Sequence, residues 1–475
     1  MKYVMKKLLE RYHSLSAPVR ASFWALFCSV FQSGISLITT PIFTRVLSQE
    51  EYGIYSQYSS WLGILSILVT LNLSGETYMK GLSDHEEEEA SFTASMLGLD
   101  IAIFTGFLIL FLLAPSFWAS LFNLTPLLTG MMFVHLFVSN PFDFWKSRER
   151  YHYRYRLSSL LSIGVTVFSY AFSIYAVLNS SNRLNARIEA DLLVRVLFGL
   201  PLLAVLLKHS QKLYDKATWK YALQFALPLI PHYLSNMILN QSDRIMIGKL
   251  VGNAEAGRYS IAYMIASMVL MIVTAVNSSF VPFTFQNLKR NNGKAVRSGA
   301  NLLLLGIALL CVIAMGMAPE VIRVVAGSSY AEAADIVPTV SSSVFFIFIY
   351  TLFSNVEYHF NKTQYVGTAT LLAAGLNVIL NWLLIPRFGY TVAGTTTLIS
   401  YMFLSLFHYV CYRLILNQES YEPVYDIRMI LLISGILTLL TFFIHTIFHI
   451  IWLRYLIVFA SLLISVFAMK RAFVK

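Results

Sequence analysis

Apolar residues arrive along this chain in long runs separated by short polar turns. A membrane-spanning helix needs about 20 predominantly apolar residues, with a working range of about 17–25. Fourteen stretches meet that requirement: 21–43, 52–75, 91–113, 126–145, 158–178, 188–207, 221–240, 256–280, 298–318, 334–356, 365–386, 391–412, 428–448 and 452–469. They cover well over half the chain, and the longest remainder is residues 1–20. The pattern predicts an all-α polytopic membrane protein of about 14 transmembrane helices, with no room for a soluble catalytic domain. Residues 1–20 open like the charged start of a signal peptide, but no small-x-small cleavage site follows the first apolar run. They are expected to form a basic cytoplasmic segment ahead of a retained first span.

Cations set the expected orientation. With the N-terminus inside, the inner turns carry 25 of the 35 Lys and Arg residues, among them Lys146, Arg148, Arg150, Arg154 and Arg156, and Lys289, Arg290, Lys294 and Arg297. Nine fall on the outer side, and Arg195 lies within a span. Positive residues hold loops in the cytoplasm, so both termini are expected there. The acidic run Glu86–Glu89 is no objection, since acidic residues contribute little to this rule.

The chain also repeats itself. Arg45–Ser56 reads RVLSQEEYGIYS, and 204 residues later Lys249–Ser260 reads KLVGNAEAGRYS. Glu51, Gly53, Tyr55 and Ser56 match Glu255, Gly257, Tyr259 and Ser260, and Arg183 aligns with Arg387 at the same offset. Six spans separate equivalent points, an even number, so the halves run in the same direction. Parallel repeats related by an axis along the membrane normal are a transporter plan. The expected domains are a six-helix lobe over 21–207, a second over 221–413, and two added helices over 428–469.

Composition narrows the class. The chain is 57% hydrophobic and 12% charged over 475 residues, against about 25% charged in an ordinary soluble protein. That excludes a soluble enzyme, a disordered chain and a nucleic-acid-binding module, and the net charge of +11 becomes a matter of topology. Cys28, Cys311 and Cys411 lie in separate apolar runs and are expected to be small buried residues rather than disulfides or metal ligands.

The turns carry a family likeness. ITTPIFTRVLSQEEYGIYS (Ile38–Ser56), SDRIMIGKLVGNAEAGRYSIAY (Ser242–Tyr263) and LNWLLIPRFGYTVAGTTTLISY (Leu380–Tyr401) resemble, in order and spacing, three segments of the oligosaccharide flippases, the Wzx-type polysaccharide exporters. The third departs from the family's usual pattern by placing its small pair at Ala393-Gly394. The likeness runs from residue 20 to about 413. It implies a V-shaped, MATE-like, alternating-access carrier with no cofactor, driven by Na+ or H+ as coupling ion, in a bacterial or archaeal cytoplasmic membrane. Its implied cargo is a lipid-linked oligosaccharide, and its implied company a polysaccharide polymerase and a chain-length regulator. The wider superfamily also holds multidrug antiporters and lipid II flippases.

Charges at bilayer depth are expensive and usually face a cavity or a partner. Asp191 and Arg195 are one turn apart and can pair, either as a structural ion pair or as a cavity wall in which Arg195 meets an anion. Asp100 has no partner near it in sequence and is a candidate ion-coupling carboxylate. Pro228 and Pro231 bend span seven, which ends in Asn240, Gln241, Asp243 and Arg244. Asp243, Arg244 and Arg45 either serve the cavity or anchor helices at the outer surface. Asn377 and Asn381 add polarity to span eleven, and the tract KSRERYHYRYR (Lys146–Arg156) suits a membrane interface that holds anionic headgroups.

Three functions compete on these residues: a flippase for a polyprenyl-pyrophosphate-linked oligosaccharide, a multidrug cation antiporter, and a membrane-embedded glycosyltransferase or polymerase. The last would need an outer-loop D-x-D or metal motif, and the chain has none. A cationic cavity favours the flippase and a purely acidic one the antiporter.

Overall fold

The computed structural model describes residues 17–208 and 212–473; the cations Lys2, Lys6, Lys7 and Arg11 of the expected basic segment lie outside the described residues. No strand occurs among the described residues. The helices are α1 (Ala17–Val46), α2 (Gln49–Thr70), α3 (Glu76–Asp84), α4 (Glu89–Leu113), α5 (Pro115–Phe122), α6 (Pro126–Tyr151), α7 (Tyr155–Asn179), α8 (Arg183–Leu207), α9 (Lys216–Ala226), α10 (Ile230–Leu250), α11 (Asn253–Lys289), α12 (Gly293–Gly316), α13 (Ala318–Val325), α14 (Val337–His359), α15 (Gln364–Phe388), α16 (Val392–Gln418), α17 (Ile427–Thr446) and α18 (Ile451–Phe473).

Their ends follow local chemistry. Thr125, Asn182, Asp215, Asn292 and Asp426 each accept a hydrogen bond from the first turn they precede, satisfying amides that no helical carbonyl reaches. Pro115 and Pro126 occupy first helical positions, where a missing N–H costs nothing. Pro228 falls in a 3-10 turn, Leu227–Leu229, that separates α9 from α10. Span seven is thus broken as its prolines predict. It also runs on to Leu250 rather than ending near residue 240, because Ile245, Met246 and Ile247 extend its apolar face.

Each of the fourteen expected spans falls on a helix or a broken pair of helices. Among the described residues, ten are long and apolar enough to cross a membrane, and the bent pair α5–α6 makes eleven. Of the remaining three, α2 and the broken α9–α10 are more polar, and α18 shows an apolar stretch of Ile451–Ser465 among the described residues. Apolar side chains such as Leu112, Leu113, Leu432, Leu439 and Trp452 stand exposed along the helices, as a protein solvated by hydrocarbon requires. Cys311 and Cys411 are buried and Cys28 is half-buried; all three are free thiols.

The chain divides into two compact units. One runs through Leu47 and from Trp61 to Leu234; the other takes Ser48–Ser60 and everything from Ser235 onward. The division therefore falls inside α2 and α10, away from the expected boundaries at 207 and 221, and places α17 and α18 with the second unit. In the first unit Tyr78, Phe92 and Phe144 pack together, and Trp219 donates to the Ser95 carbonyl to fasten α9 against α4. In the second, α14 is buried on nearly every side by α11, α12, α16 and α17, so its run of Val, Phe and Ile needs no polar face.

The internal repeat leaves a direct mark in the second unit, where α2 crosses α11. A Cβ on Gly53 would lie 1.7 Å from the Asn253 carbonyl oxygen, and one on Gly257 would lie 2.6 Å from that of Gln49. Asn253 is the repeat counterpart of Gln49, as Gly257 is of Gly53, so the contact is reciprocal, the hallmark of a two-fold relation. Ser56 and its counterpart Ser260 hydrogen-bond to each other.

Candidate functional site

Polar residues collect at two places inside the apolar helices, one in each unit. In the first unit Arg195 donates from Nε to Asp191 Oδ2 at 2.9 Å. Asp191 Oδ1 also accepts from Ser169 of α7, and His135 of α6 stands 3.6 Å from Oδ2. Arg195 Nη1 lies 3.5 Å from Ser139 Oγ. The carboxylate is therefore held from two helices, with the His135 ring of a third beside it. The Arg195 side chain keeps 35% of its surface exposed, against 24% for Asp191, so the cation is the more open end of the pair.

Asp100 lies in the same unit, buried in α4. Asn140 of α6 is the polar side chain acting on it, while its Oδ1 has no hydrogen-bond partner. Arg45 is exposed at the end of α1 and donates to the Pro41 carbonyl, which holds it along its own helix.

In the second unit three separately expected residues converge. Asp243 is 1% exposed. Its Oδ1 accepts from Asn381 Nδ2 at 2.6 Å, and its Oδ2 from Tyr259 Oη at 2.5 Å and Thr397 Oγ1 at 2.7 Å. Asn377 accepts from Ser242 and from Asn381, and Thr396 donates to Asn381 Oδ1. Asp243 is no surface anchor. Arg244 turns away from it, donating to the Asn240 carbonyl and Gln241 and lying 4.4 Å from the Tyr263 ring centre. Asn240 in turn accepts from Tyr401 at 3.1 Å.

A buried carboxylate that no cation contacts directly is stable only when hydrogen-bonded, protonated or matched by a bound cation. The carboxyl, amide and hydroxyl oxygens of Asp243, Asn377, Asn381, Thr396 and Thr397 form a hard oxygen set, which suits an alkali-type or other hard cation better than a soft metal. Among the described residues no group of three His, Cys, Asp or Glu side chains is placed to hold a metal ion.

The second unit contains another ionisable pair that the span limits concealed. Glu357 of α14 and His408 of α16 are both fully buried, 2.8 Å apart. Glu357 Oε2 and His408 Nε2 have no hydrogen-bond partner. Glu357 lies one position past the expected span 334–356, inside the last turn of α14, which runs on to His359.

Comparison with known proteins agrees with this architecture. Residues 19–287 match the family described as "Polysaccharide biosynthesis protein". The succinoglycan biosynthesis transport protein ExoT of Rhizobium meliloti (strain 1021) is 23% identical over 262 residues, 53% of this chain and 50% of that protein. The chain spans half the length or less of the curated relatives it matches. Among solved structures, lipid II flippase MurJ in an inward closed conformation aligns over 96% of this chain and 100% of its own, with TM-score 0.72 and 14% identity. An inward-facing multidrug resistance MATE family transporter of the MOP superfamily aligns over 85% and 99%, with TM-score 0.61 and 13% identity. At such identities the likeness is one of fold.

Proposed function

The chain belongs to the polysaccharide biosynthesis protein family, and from that premise we propose that it is a flippase for a polyprenyl-pyrophosphate-linked oligosaccharide repeat unit. Its cargo carries two phosphates and a sugar headgroup on a lipid tail, so transport needs a cationic group in a polar setting at membrane depth. The carrying observation is Arg195, a half-open guanidinium whose counter-charge Asp191 is also steadied by Ser169 and lies beside His135. With part of the carboxylate engaged elsewhere, the cation retains attraction for an anion.

Asp243 supplies the complementary role. Its buried, hydrogen-bonded oxygen cluster is the coupling site, binding Na+ or H+ in one state of the cycle and releasing it in the other. Asp100, buried with one open oxygen, is the second candidate for that role. Movement from inner to outer leaflet follows alternating access, with both termini in the cytoplasm. A multidrug cation antiporter is the rival on the same fold, and a lipid II flippase the nearer variant.

Deleting the gene tests the reading. Lipid-linked repeat units are expected to accumulate in the inner leaflet while surface polysaccharide disappears. Normal surface polysaccharide together with heightened sensitivity to cationic drugs would replace the flippase with the antiporter.

A further inference from the structure

We propose that a cavity between the start of α1 and the α6–α7 turn binds the phosphate headgroup of an anionic lipid at the membrane surface. The cavity has a volume of about 480 Å³ and is lined by Arg20, Tyr153, Arg154, Tyr155, Arg156 and Leu157. Three guanidinium groups from two distant segments meet there, and none of the described residues that line it carries a carboxylate. Planar guanidinium forks match phosphate oxygens in pairs, which a lysine ammonium cannot do.

The neighbouring cations show how Arg20 and Arg154 differ. Lys146 is neutralised by Asp143 and Arg148 by Glu89. Arg154 pairs only loosely with Glu149, at 3.8 Å and beyond hydrogen-bond length, and keeps 67% of its side chain exposed. Arg20 Nε is buried with no hydrogen-bond partner. Tyr155 is buried and Tyr153 exposed, an arrangement with an apolar body and a polar tip that suits the headgroup region.

A second observation separates this site from a structural turn. The turn between α14 and α15 in the other unit has the same backbone bonds: Asn361 N–H to the Tyr358 carbonyl and Lys362 N–H to that of Glu357, mirroring Tyr153 to Arg150 and Arg154 to Glu149. Its left-handed residue is Asn361, at φ 57°; here it is Tyr153, at φ 56°. Asparagine tolerates that conformation, whereas tyrosine is uncommon there. The fold therefore needs neither the tyrosine nor its arginine neighbours; the other turn reads NKTQY where this one reads YRYRL. The lipid phosphate comes either from bulk anionic phospholipid or, resting on the flippase reading above, from the pyrophosphate of the cargo at the leaflet the cation bias assigns to the cytoplasm.

The test uses the full chain in phosphatidylcholine nanodiscs, with farnesyl pyrophosphate as probe and phosphatidylglycerol as competitor. The variant Arg20→Gln/Arg154→Gln/Arg156→Gln is expected to weaken probe binding by about tenfold or more, since each cation near a membrane surface contributes about a fivefold share. Replacing the same three with Lys should restore part of the affinity and, by binding, show that the site still folds. The single variant Arg154→Gln, at an exposed side chain, should weaken binding even if the triple variant misfolds. Lys289→Gln/Arg290→Gln/Lys294→Gln, three cations of the α11–α12 turn, should leave affinity within about twofold if specific placement rather than net charge matters. Competition by phosphatidylglycerol assigns the site to bulk lipid, and resistance to it assigns the site to the cargo pyrophosphate. Unchanged binding in both the triple and the single Gln variants, or equal loss in the α11–α12 control, overturns the site. That failure is separable from failure of the flippase reading: arginine-dependent binding alongside intact surface polysaccharide in the deletion strain removes the flippase and keeps the phosphate site.

Discussion

Asp191 and Arg195 are four residues apart on α8, and the same hydrogen bond serves a structural pair or a half-open anion site equally well. Function separates the two. Arg195→Ala should abolish export with folded protein still in the membrane, and Asp191→Ala should harm it less. The double alanine variant should stay inactive, because removing the carboxylate cannot restore an anion contact; recovery of export in the double variant would make the pair a structural neutralisation. Asp243 invites a different measurement. Asn at this position presents an amide to Asn381 Nδ2 or to the Tyr259 and Thr397 hydroxyls, leaving donors facing donors at a cost of about 1–3 kcal/mol. Purified wild type should melt higher in NaCl than in KCl at equal ionic strength if Na+ is the coupling ion, through mass action on the folded state. Asp243→Asn should lose that difference. Glu357 and His408 form a closed pair, so Glu357→Ala alone, which strands His408, should cost about 3–5 kcal/mol, whereas an apolar pair of similar volume should be near neutral in thermal unfolding. Sequence made Asp243, Asn377 and Asn381 visible one by one, because a polar side chain inside an apolar run stands out. Tyr259 was visible only as a repeat match, and Thr396, Thr397, Ser169 and His135 escaped notice, since hydroxyls and rings sit in helices for many reasons and only contact reveals which reason holds.

At the level of elements, the crossing of α2 and α11 has the least slack. Gly53→Val would drive side-chain carbons into the Asn253 carbonyl, and backbone cannot yield as a flexible side chain does. A loss of about 2–4 kcal/mol is expected by analogy with overpacked cores, read as a lowered melting temperature. Gly257→Val should cost a similar amount, because the contact is reciprocal. The added helix α18 is fastened differently: Arg454 donates to both Glu320 oxygens, at 2.7 and 2.9 Å, and to the Gly316 carbonyl. The Arg454 guanidinium holds the Glu320 carboxyl below its ordinary value of 4.5. A carboxyl lowered in the folded state adds stability that is present above the unfolded value and disappears as pH falls through the folded one. Acidification below about pH 4.5 should therefore destabilise wild type more than Glu320→Gln, which has no such proton to take up; equal acid sensitivity would remove this role. The repeat announced the crossing through Gly53 and Gly257, while nothing in the sequence pointed from Arg454 to Glu320, 134 residues away.

Over the whole molecule, the arrangement of cations carries the strongest testable statement. Reporter fusions after Arg156 and after Lys475 should both report a cytoplasmic location, as an even number of spans with 25 inner cations demands. Either fusion reporting outside would overturn the orientation. Among the described residues ten helices are long and apolar enough to cross, eleven with the bent pair, so cysteine accessibility along α2, α10 and α18 is the direct measure of whether all fourteen expected spans do. Protection of single cysteines in the middle of each of these helices is the expected result.

What the sequence determined by itself was what depends on the chain's relation to its solvent: the helices, the long apolar runs that make them, and the parallel repeat. Lipid cannot hydrogen-bond a backbone, so apolar runs of this length have one regular outcome, and charge bias is read one turn at a time. The tertiary structure alone decided where the compact units divide, since the cuts fall within α2 and α10 where no change of composition marks them. It alone brought Asp243 of α10 to Asn381 of α15 and Thr397 of α16, and Arg20 to Arg154 and Arg156. Such meetings depend on which faces of distant helices pack together, and a face becomes an address only when a second helix lies against it.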